Sequence, residues 1–191
     1  MKIGVLAVQG DFALHEKTLH ALGVETIQVR KPEHLDGCSG LIMPGGESTT
    51  FVKLLKEVDL FDALKQFGRE KVIFGTCAGL ITLAHEIVNY PLETLDLIQI
   101  QVARNAYGRQ IDSFIDTVQV KTDDTVFEVE GVFIRAPKIV EVGEGTQAIG
   151  FRGDEIVMAE NKHILVATFH PELTDDTRIH NYFLQKVKQM Q

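Results

Sequence analysis

The order of strands and helices that the sequence predicts is its strongest constraint on the fold. Four short apolar runs within residues 1–76, rich in β-branched side chains, have the length and composition of buried strands: KIGVLAV, ETIQV, SGLIMP and VIFGT. Between the last two runs, two amphipathic stretches place apolar residues on one helical face: Phe51, Leu54, Leu55 and Val58, then Phe61, Leu64 and Phe67. This alternation predicts a parallel sheet with helices on both faces.

Residue types that commonly cap helices predict where three of the helices begin. The predicted caps are Asp11 for a helix over residues 12–22, Ser48 or Thr49 for the first of the two helices above, and Thr174 or Asp175 for a C-terminal helix. Gly23 is expected to stop the helix that begins after Asp11. The C-terminal helix is expected to pack through an apolar stripe of Ile179, Phe183, Val187 and Met190.

Beyond about residue 89 the pattern changes to strands with turns and almost no helix between them. The runs are SFIDTVQV, VFEVEGVFI, KIVEVGE, QAIGFRG, EIVMAE and HILVATF. Such a series favours hairpins added to the edge of the parallel sheet, which makes the sheet mixed. Because no linker rich in Pro, Ser or Gly interrupts the 191 residues, we expect a single α/β domain over residues 1–191. Its expected architecture is a three-layer sandwich around a central, mostly parallel sheet.

Charge and composition argue against several classes of partner. The net charge is −8 and Lys and Arg are scattered, so neither nucleic acid nor an anionic membrane is expected to bind. The longest apolar runs are far shorter than the ~18 residues of a membrane span, and the chain starts on a strand-like run rather than a signal peptide. Two cysteines without a secretory signal fit a reducing cytosol, and no Cys/His spacing resembles a zinc site. We therefore expect a cytoplasmic protein without a metal.

The segment GTCAG, residues 75–79, matches the nucleophile-elbow pattern, in which the nucleophile lies between glycines at a sharp strand-to-helix corner. Such a corner lifts the thiol of Cys77 out of the sheet and brings Ala78 N–H beside any oxyanion formed on a bound substrate. The alternative is that Cys77 is a small core residue, but a core position would not require glycine on both sides. Cys38, in a loop without such a corner, is interpreted as structural or incidental.

A thiol nucleophile needs a base, and the base needs a group that orients it. Of the seven histidines, His170 follows the apolar strand ILVATF, and Glu172 lies two residues later, on the same side of an extended chain. The motif HPE alone fits a solvated pair at a strand end equally well, but with the elbow it predicts a Cys77–His170–Glu172 triad. His85 is expected to lie too far from Cys77. Three further histidines are assigned to helices, with surface or core roles: His15, His20 and His180.

The segment PGGES, residues 44–48, follows the third predicted strand and leaves backbone N–H groups unobstructed. Gly46 N–H and Ala78 N–H are predicted to form an oxyanion hole, although a plain strand-to-helix turn would use the same residues. A Gly-Gly peptide flips at little steric cost, so the turn is also a candidate gate. Gln9 and Gly10, which follow the first strand, are predicted to hold the flipped peptide in place.

Taken together, PGGEST, GTCAG and FHPEL resemble class I, triad-type glutamine amidotransferases. Within that family, AVQGDFALH, RNAYGRQ, FIRAP and FHPELTDDTRIHNYF resemble the glutaminase subunits of pyridoxal 5′-phosphate synthase, and the match covers essentially the whole chain. The resemblance implies hydrolysis of L-glutamine to L-glutamate and ammonia through a γ-glutamyl thioester on Cys77. His170 would move the protons and Glu172 would orient it. The ammonia would be delivered to a separate synthase subunit for vitamin B6 biosynthesis.

The resemblance also implies a set of substrate contacts. The residues implied to line the glutamine site are Gly46, Glu47 and Ser48, and those implied to contact the substrate as well are Arg104, Ile134 and Arg135. Free glutamine carries a carboxylate and an ammonium, so a site with charged partners suits it. The chain has no phosphate-binding loop, and no cofactor is expected.

Three alternatives stay open at this point. Another glutaminase, such as that of imidazole glycerol phosphate synthase, would share the triad but lack RNAYGRQ and FIRAP. A non-catalytic binding module on the same scaffold would be expected to have lost Cys77, His170 or Glu172. A stress-type cysteine hydrolase or chaperone of similar architecture would not explain the arginines together with HPE.

Overall fold

The computed structural model describes residues 1–104, 113–123 and 125–190. The strands are β1 (Lys2–Leu6), β2 (Glu25–Val29), β3 (Gly40–Met43), β4 (Val72–Thr76), β5 (Ala84–Ile87), β6 (Ile98–Ala103), β7 (Ser113–Lys121), β8 (Val126–Ile134), β9 (Lys138–Val142), β10 (Gln147–Arg152), β11 (Glu155–Glu160) and β12 (Ile164–Ala167). The helices are α1 (Phe12–Ala21), α2 (Ser48–Glu57), α3 (Leu60–Glu70), α4 (Ala78–Leu83) and α5 (Arg178–Gln189), with short 3-10 helices at Pro32–Leu35 and Pro171–Leu173.

Nine strands form one mixed sheet in the order β2-β1-β3-β4-β12-β11-β10-β7-β8. The five strands β2, β1, β3, β4 and β12 pair in parallel. The remaining strands, β11, β10, β7 and β8, are added by antiparallel pairs. The predicted parallel sheet with hairpins at its edge is therefore confirmed. Because β1, β3, β4 and β12 are neighbours, the four segments that follow them meet at the same edge of the sheet.

Helices cover both faces of this sheet. Successive residues of a buried strand point to opposite faces, so each central strand contributes to two cores. On one face, Ile73 of β4 packs in a cluster with residues of α2, α3 and α4. On the other face, Phe74 packs in a cluster with residues of α1 and α5. This is the predicted three-layer arrangement.

Residues 84–103 differ from the sequence prediction, which placed no strand there. β5 and β6 form a separate three-stranded sheet with β9, which was expected at the edge of the main sheet. The run IQIQVA of β6 alternates buried and more exposed residues, and this period could have identified the strand. β5 has only four residues and is buried at its two ends alone, so its sequence carries no such period.

Two of the three predicted helix caps are wrong. α2 begins after Glu47, not after Ser48 or Thr49, because the Glu47 carboxylate accepts hydrogen bonds from the backbone N–H groups of Thr49 and Thr50. α5 begins after Thr177, beyond the predicted Thr174 or Asp175. Asp11 does precede α1, but its side chain makes no capping hydrogen bond.

The apolar faces of the helices follow the prediction closely. The α3 residues Phe61, Leu64 and Phe67 are buried, as are Ile179, Phe183 and Val187 of α5. Met190 lies past the end of α5 and is exposed, so its assignment to the stripe is wrong.

Within the described ranges, no helix combines the length and the apolarity that a membrane crossing requires.

Candidate active site

The ends of β1, β3, β4 and β12 surround a cavity of about 560 Å³. The lining residues are Gly10, Asp11, Gly45, Gly46, Glu47, Ser48, Cys77, Ile81, Arg104, Ser113, Ile134, Arg135 and His170. All of the site residues proposed from the sequence except Gln9, Ala78 and Glu172 are in this set. The set also contains Gly45, Ile81 and Ser113, which were not proposed as site residues, and Asp11, which was predicted only as a helix cap. A polar cavity with one thiol and one imidazole is suited to nucleophilic chemistry on a small charged substrate.

Cys77 lies at a strained corner between β4 and α4. Its φ of 49° and ψ of −104° place a non-glycine residue where L side chains are rare, which is the mark of a nucleophile elbow. Its N–H donates to the carbonyl oxygen of Ala167, so β12 holds the corner from the side. A side chain at Gly79 would collide with the carbonyl oxygen of Met43, which explains the glycine on that side of the nucleophile. The predicted corner is therefore present.

His170 follows β12 and faces Cys77. Its backbone N–H donates to the carbonyl oxygen of Val132 at 2.8 Å, and Pro171 starts the 3-10 helix that follows. Burial disfavours the imidazolium, but hydrogen bonds and charge interactions with Cys77 and Glu172 outweigh it and raise the pKa of His170 to about 10. A raised pKa means that the imidazole of His170 stays protonated up to high pH.

Glu172 lies behind His170 and is buried. Its Oε1 is 2.7 Å from Nδ1 of His170, the distance of a charge-assisted hydrogen bond. Burial works against ionisation, but the electrostatic interaction with His15 and the hydrogen bond with His170 outweigh it and lower the pKa of the carboxyl. Cys77, His170 and Glu172 thus lie in series, as the sequence predicts for a thiol, its base and the group that orients the base.

The turn over residues 44–48 is packed against the segment that follows β1. Gln9 donates its side-chain amide to the carbonyl oxygen of Glu47 at 2.9 Å, and the same amide covers the Cα of Gly46. Gly10 has a φ of 81°, and a Cβ there would collide with the carbonyl oxygen of Gly45. Gly46 itself has a φ of 140°, which only glycine adopts readily. Gln9 and Gly10 therefore contact the turn, as expected; a gating role for them stays a prediction.

Glu47 and Arg104 form an ion pair at the mouth of the cavity, with 3.0 Å between Oε1 and Nη2. Burial opposes ionisation of Glu47, but the backbone N–H groups of Thr50 and Thr49 donate to its carboxylate and lower its pKa to about 2. The guanidinium of Arg104 lies over the ring of Tyr90, 4.2 Å from the centroid. This end of the cavity therefore presents a carboxylate and a guanidinium, and the contacts described above fix the positions of both groups.

Ile134 and Arg135 close the cavity on the side of β8. The carbonyl oxygen of Ile134 is 3.9 Å from Sγ of Cys77, and Arg135 has a positive φ of 44° just after the strand. The Ser48 hydroxyl is buried and has no hydrogen-bond partner among the described residues. Of the motif RNAYGRQ, only Arg104 lies within the described part of the chain.

The two negative assignments made from the sequence agree with the structure. Cys38 is buried in the core below α2 and α3, its thiol donates to the carbonyl oxygen of His34, and burial raises its pKa. His85 pairs with Asp96 at the surface, with 2.7 Å between Nδ1 and Oδ1, and does not line the cavity. Neither residue competes with Cys77 or His170 for a catalytic role.

Sequence reasoning missed His15 and His180, which lie directly behind the triad. Both are wholly buried on the inward faces of α1 and α5. A signal was available, because His15 shares a helical face with Leu19 and Leu22, and His180 shares one with Phe183, Leu184 and Val187. A buried ionisable side chain needs a polar partner, and His15 has one in Glu172 of the triad.

Within the described ranges, no cluster of His, Cys, Asp and Glu is suited to a metal ion.

A strained cysteine elbow with a His–Glu pair at the edge of a mixed α/β sheet defines the class of cysteine-nucleophile, triad-type amidotransferases. The chain belongs to the SNO glutamine amidotransferase family, whose model matches residues 5–189. It is 51% identical over 189 residues to pyridoxal 5′-phosphate synthase subunit PdxT of Thermosipho africanus, covering 98% of this chain and 100% of that protein.

Solved structures agree with this assignment. A crystal structure of a glutamine amidotransferase superposes with a TM-score of 0.91 at 45% identity, covering 97% of this chain and 98% of that one. A putative GMP synthase protein from Thermoplasma acidophilum has a TM-score of 0.68 at 18% identity and covers 100% of this chain and 93% of its own, which shows the shared fold alone. The predicted fold class and family are therefore confirmed.

Proposed function

We propose that the protein hydrolyses L-glutamine to L-glutamate and ammonia as the glutaminase subunit of a pyridoxal 5′-phosphate synthase, with residues 1–191 acting as one domain. The observation that carries the proposal is the series of Cys77, His170 and Glu172 at the wall of a cavity lined by both signs of charge. The relatives named as synthase subunits support the same assignment over nearly the full chain. They also disfavour the glutaminase of imidazole glycerol phosphate synthase, and an intact triad disfavours a non-catalytic module.

The reaction starts with Cys77 attacking the side-chain carbonyl carbon of glutamine. Contacts with Cys77 and Glu172 raise the pKa of His170 to about 10, so its imidazole is suited to accept the thiol proton. Gly46 N–H and Ala78 N–H are the proposed donors to the resulting oxyanion. His170 then gives its proton to the leaving nitrogen, ammonia departs, and a γ-glutamyl thioester remains on Cys77. Water, deprotonated by His170, hydrolyses the thioester to glutamate and frees the thiol.

The charged end of the cavity is proposed to recognise the amino-acid end of glutamine. Glu47 stays ionised and suits the ammonium, and Arg104 and Arg135 suit the carboxylate. The unpartnered Ser48 hydroxyl supplies one further hydrogen-bonding group at the same wall. No step needs a cofactor, so none is proposed.

Arg104→Ala and Arg135→Ala are each expected to raise the KM for glutamine, because each loses a charge-assisted hydrogen bond worth ~1.5–3 kcal/mol. The rate at which iodoacetamide alkylates Cys77 should stay unchanged, since neither arginine is part of the triad. Arg69→Ala, at an exposed position of α3, is the matched control and should leave both quantities unchanged. Loss of alkylation together with turnover would instead indicate a general disturbance of the site.

The ammonia is proposed to pass to the synthase subunit within a hetero-oligomer in the cytoplasm. Ammonia released into water near pH 7 becomes mostly ammonium, which has no lone pair and cannot attack a carbonyl. Hydrolysis without a partner would therefore waste glutamine, so we propose that the partner activates the enzyme. The proposed gate is the Gly45–Gly46 peptide, which Gln9 and Gly10 contact directly.

The test is steady-state glutamate production by the purified protein across a titration with the synthase subunit of the same organism. We expect slow basal hydrolysis and a stimulation of at least about tenfold at saturation. Gln9→Ala should reduce this stimulation more than the basal rate, because it removes the hydrogen bond to the Glu47 carbonyl oxygen. A full rate that stays flat across the titration would reject gating, and no glutamate under any condition would reject the proposed function.

A further inference from the structure

Glu172 meets a second histidine on the side away from His170. Its Oε2 lies 3.4 Å from Nε2 of His15, and Nδ1 of His15 lies 2.9 Å from Nε2 of His180. Both imidazoles are wholly buried and meet the ring of Phe74 edge-on, at centroid distances of 6.5 and 6.1 Å. The triad is therefore continued inward by two histidines that the mechanism above does not use.

We propose that His15 is a positioning residue for Glu172: as a neutral imidazole with its proton on Nε2, it donates to Oε2, while His180 donates to its Nδ1. The kinetic part of this inference rests on the proposed glutaminase function, and its structural part does not. His15 touches neither the cavity nor the thiol, so it acts through Glu172.

The need for a second donor follows from the burial of the carboxylate. Oε1 of Glu172 is engaged by His170, whereas Oε2 is buried and has no hydrogen-bond partner of normal length among the described residues. An ionised oxygen left without a donor in the interior is costly. Nε2 of His15 at 3.4 Å is positioned to supply that donor after a small approach of the two groups.

The tautomer follows from counting donors along the chain of imidazoles. With the proton on Nδ1, His15 would turn a lone pair toward the negative Oε2, and the His180 proton would lie on Nδ1, which has no partner among the described residues. With the proton on Nε2 of His15, the N–H group of each of the two imidazoles has an acceptor. Only the lone pair on Nδ1 of His180 then has no partner among the described residues. An unpaired acceptor is less costly than a buried unpaired donor.

Both imidazoles are expected to stay neutral in this setting. Burial lowers the pKa of His15, partly offset by the charge of Glu172, with His170 lowering it further and Asp11 raising it. Burial and the neighbouring His15 lower the pKa of His180 to about 3, against the charge of Glu172. The hydroxyl of Thr76 also faces Nε2 of His15, at 3.4 Å. A neutral donor fixes Glu172 without cancelling the negative charge that His170 needs.

The direct test is nitrogen NMR of the wild-type protein labelled with 15N-histidine, with His15 assigned by comparison with a His15→Gln sample. We expect the neutral Nε2–H tautomer at pH 7. A proton on Nδ1, or a charged ring, would overturn the proposal. The measurement needs no glutaminase activity, so it separates failure of this inference from failure of the proposed function.

The kinetic test compares His15→Gln with His15→Met. The two side chains are similar in size and both lose the contact with His180, but only glutamine retains a donor near the position of Nε2. We expect His15→Met to lower kcat about tenfold with KM nearly unchanged, and His15→Gln to keep most of the rate. Equal losses in both variants would indicate a packing role and overturn the proposal.

A double-mutant cycle with Glu172→Gln completes the design. If His15 acts through the carboxylate, His15→Met should have little further effect on kcat once the charge of Glu172 is gone. The same fold-loss in both backgrounds would mean that His15 acts independently of Glu172, against the proposal. Melting temperatures of the four proteins are measured alongside.

Discussion

Cys77→Ala is expected to abolish glutamate production while the protein stays folded. No other thiol of the described residues lies at the cavity, since Cys38 lies in the core. Alanine keeps the Cβ of the elbow and the backbone N–H that donates to Ala167, so the strained corner retains its supports. The measurement is glutamate release at saturating glutamine with the synthase subunit present, together with the melting temperature.

The matched control is Cys38→Ala, which removes the other thiol and should leave turnover nearly unchanged. A glutamine-like electrophile, 6-diazo-5-oxo-norleucine, should label Cys77 alone, because Cys38 is inaccessible and burial raises its thiol pKa. Label found on Cys38, or wild-type turnover in Cys77→Ala, would overturn the assignment of the nucleophile.

His170→Asn should nearly eliminate turnover, because proton transfer by a positioned base contributes about 10²- to 10⁴-fold. Asparagine fills a similar space near Cys77 but cannot carry the proton from the thiol to the departing ammonia. Glu172→Gln should cost less, since Glu172 orients the imidazole and moves no proton. The comparison is made on kcat with the partner at saturation. A loss in Glu172→Gln as large as in Cys77→Ala would mean that Glu172 has another role.

The pH dependence of kcat/KM tests the interaction between His170 and Glu172 more directly. Contacts with Cys77 and Glu172 raise the pKa of His170 to about 10, so the imidazolium persists below that pH and is lost as the pH rises through it. Removing the charge of Glu172 lowers this pKa, so the alkaline limb of kcat/KM should move to lower pH in Glu172→Gln. The profile is measured from glutamate release. An alkaline limb that does not move would show that Glu172 is not what holds the proton on His170.

Much of the site could be predicted because its residues follow strands that the sequence identifies by apolar runs. Gly75 and Gly79 around Cys77 indicated the corner, and the two-residue spacing of His170 and Glu172 indicated the pair. The parallel order of β1, β3, β4 and β12 then brings those ends together without further information. The arginines were assigned by resemblance, because a lone arginine carries no local signal.

Helix starts were predicted less well, and Glu47 shows why. Ser48 and Thr49 are the usual capping types, but Glu47 takes the role because its carboxylate reaches the N–H groups of Thr49 and Thr50 while also pairing with Arg104. The same carboxylate is also contacted by Arg104, which lies 57 positions away along the chain. The strand β5 was missed for a related reason, since four residues buried only at their ends form a strand through the partner β6 rather than through their own pattern.

The sequence by itself indicated a parallel sheet, the corner at Cys77 and the pairing of His170 with Glu172, because these depend on local periodicity and on neighbouring residues. Only the tertiary structure decided what stands behind the triad. His15 and His180 are far apart in the chain, and the sequence of each helix does not show that the two side chains meet. Packing α1 and α5 on one face of the sheet buries both imidazoles, places His15 against the buried Glu172 carboxylate and places His180 against His15.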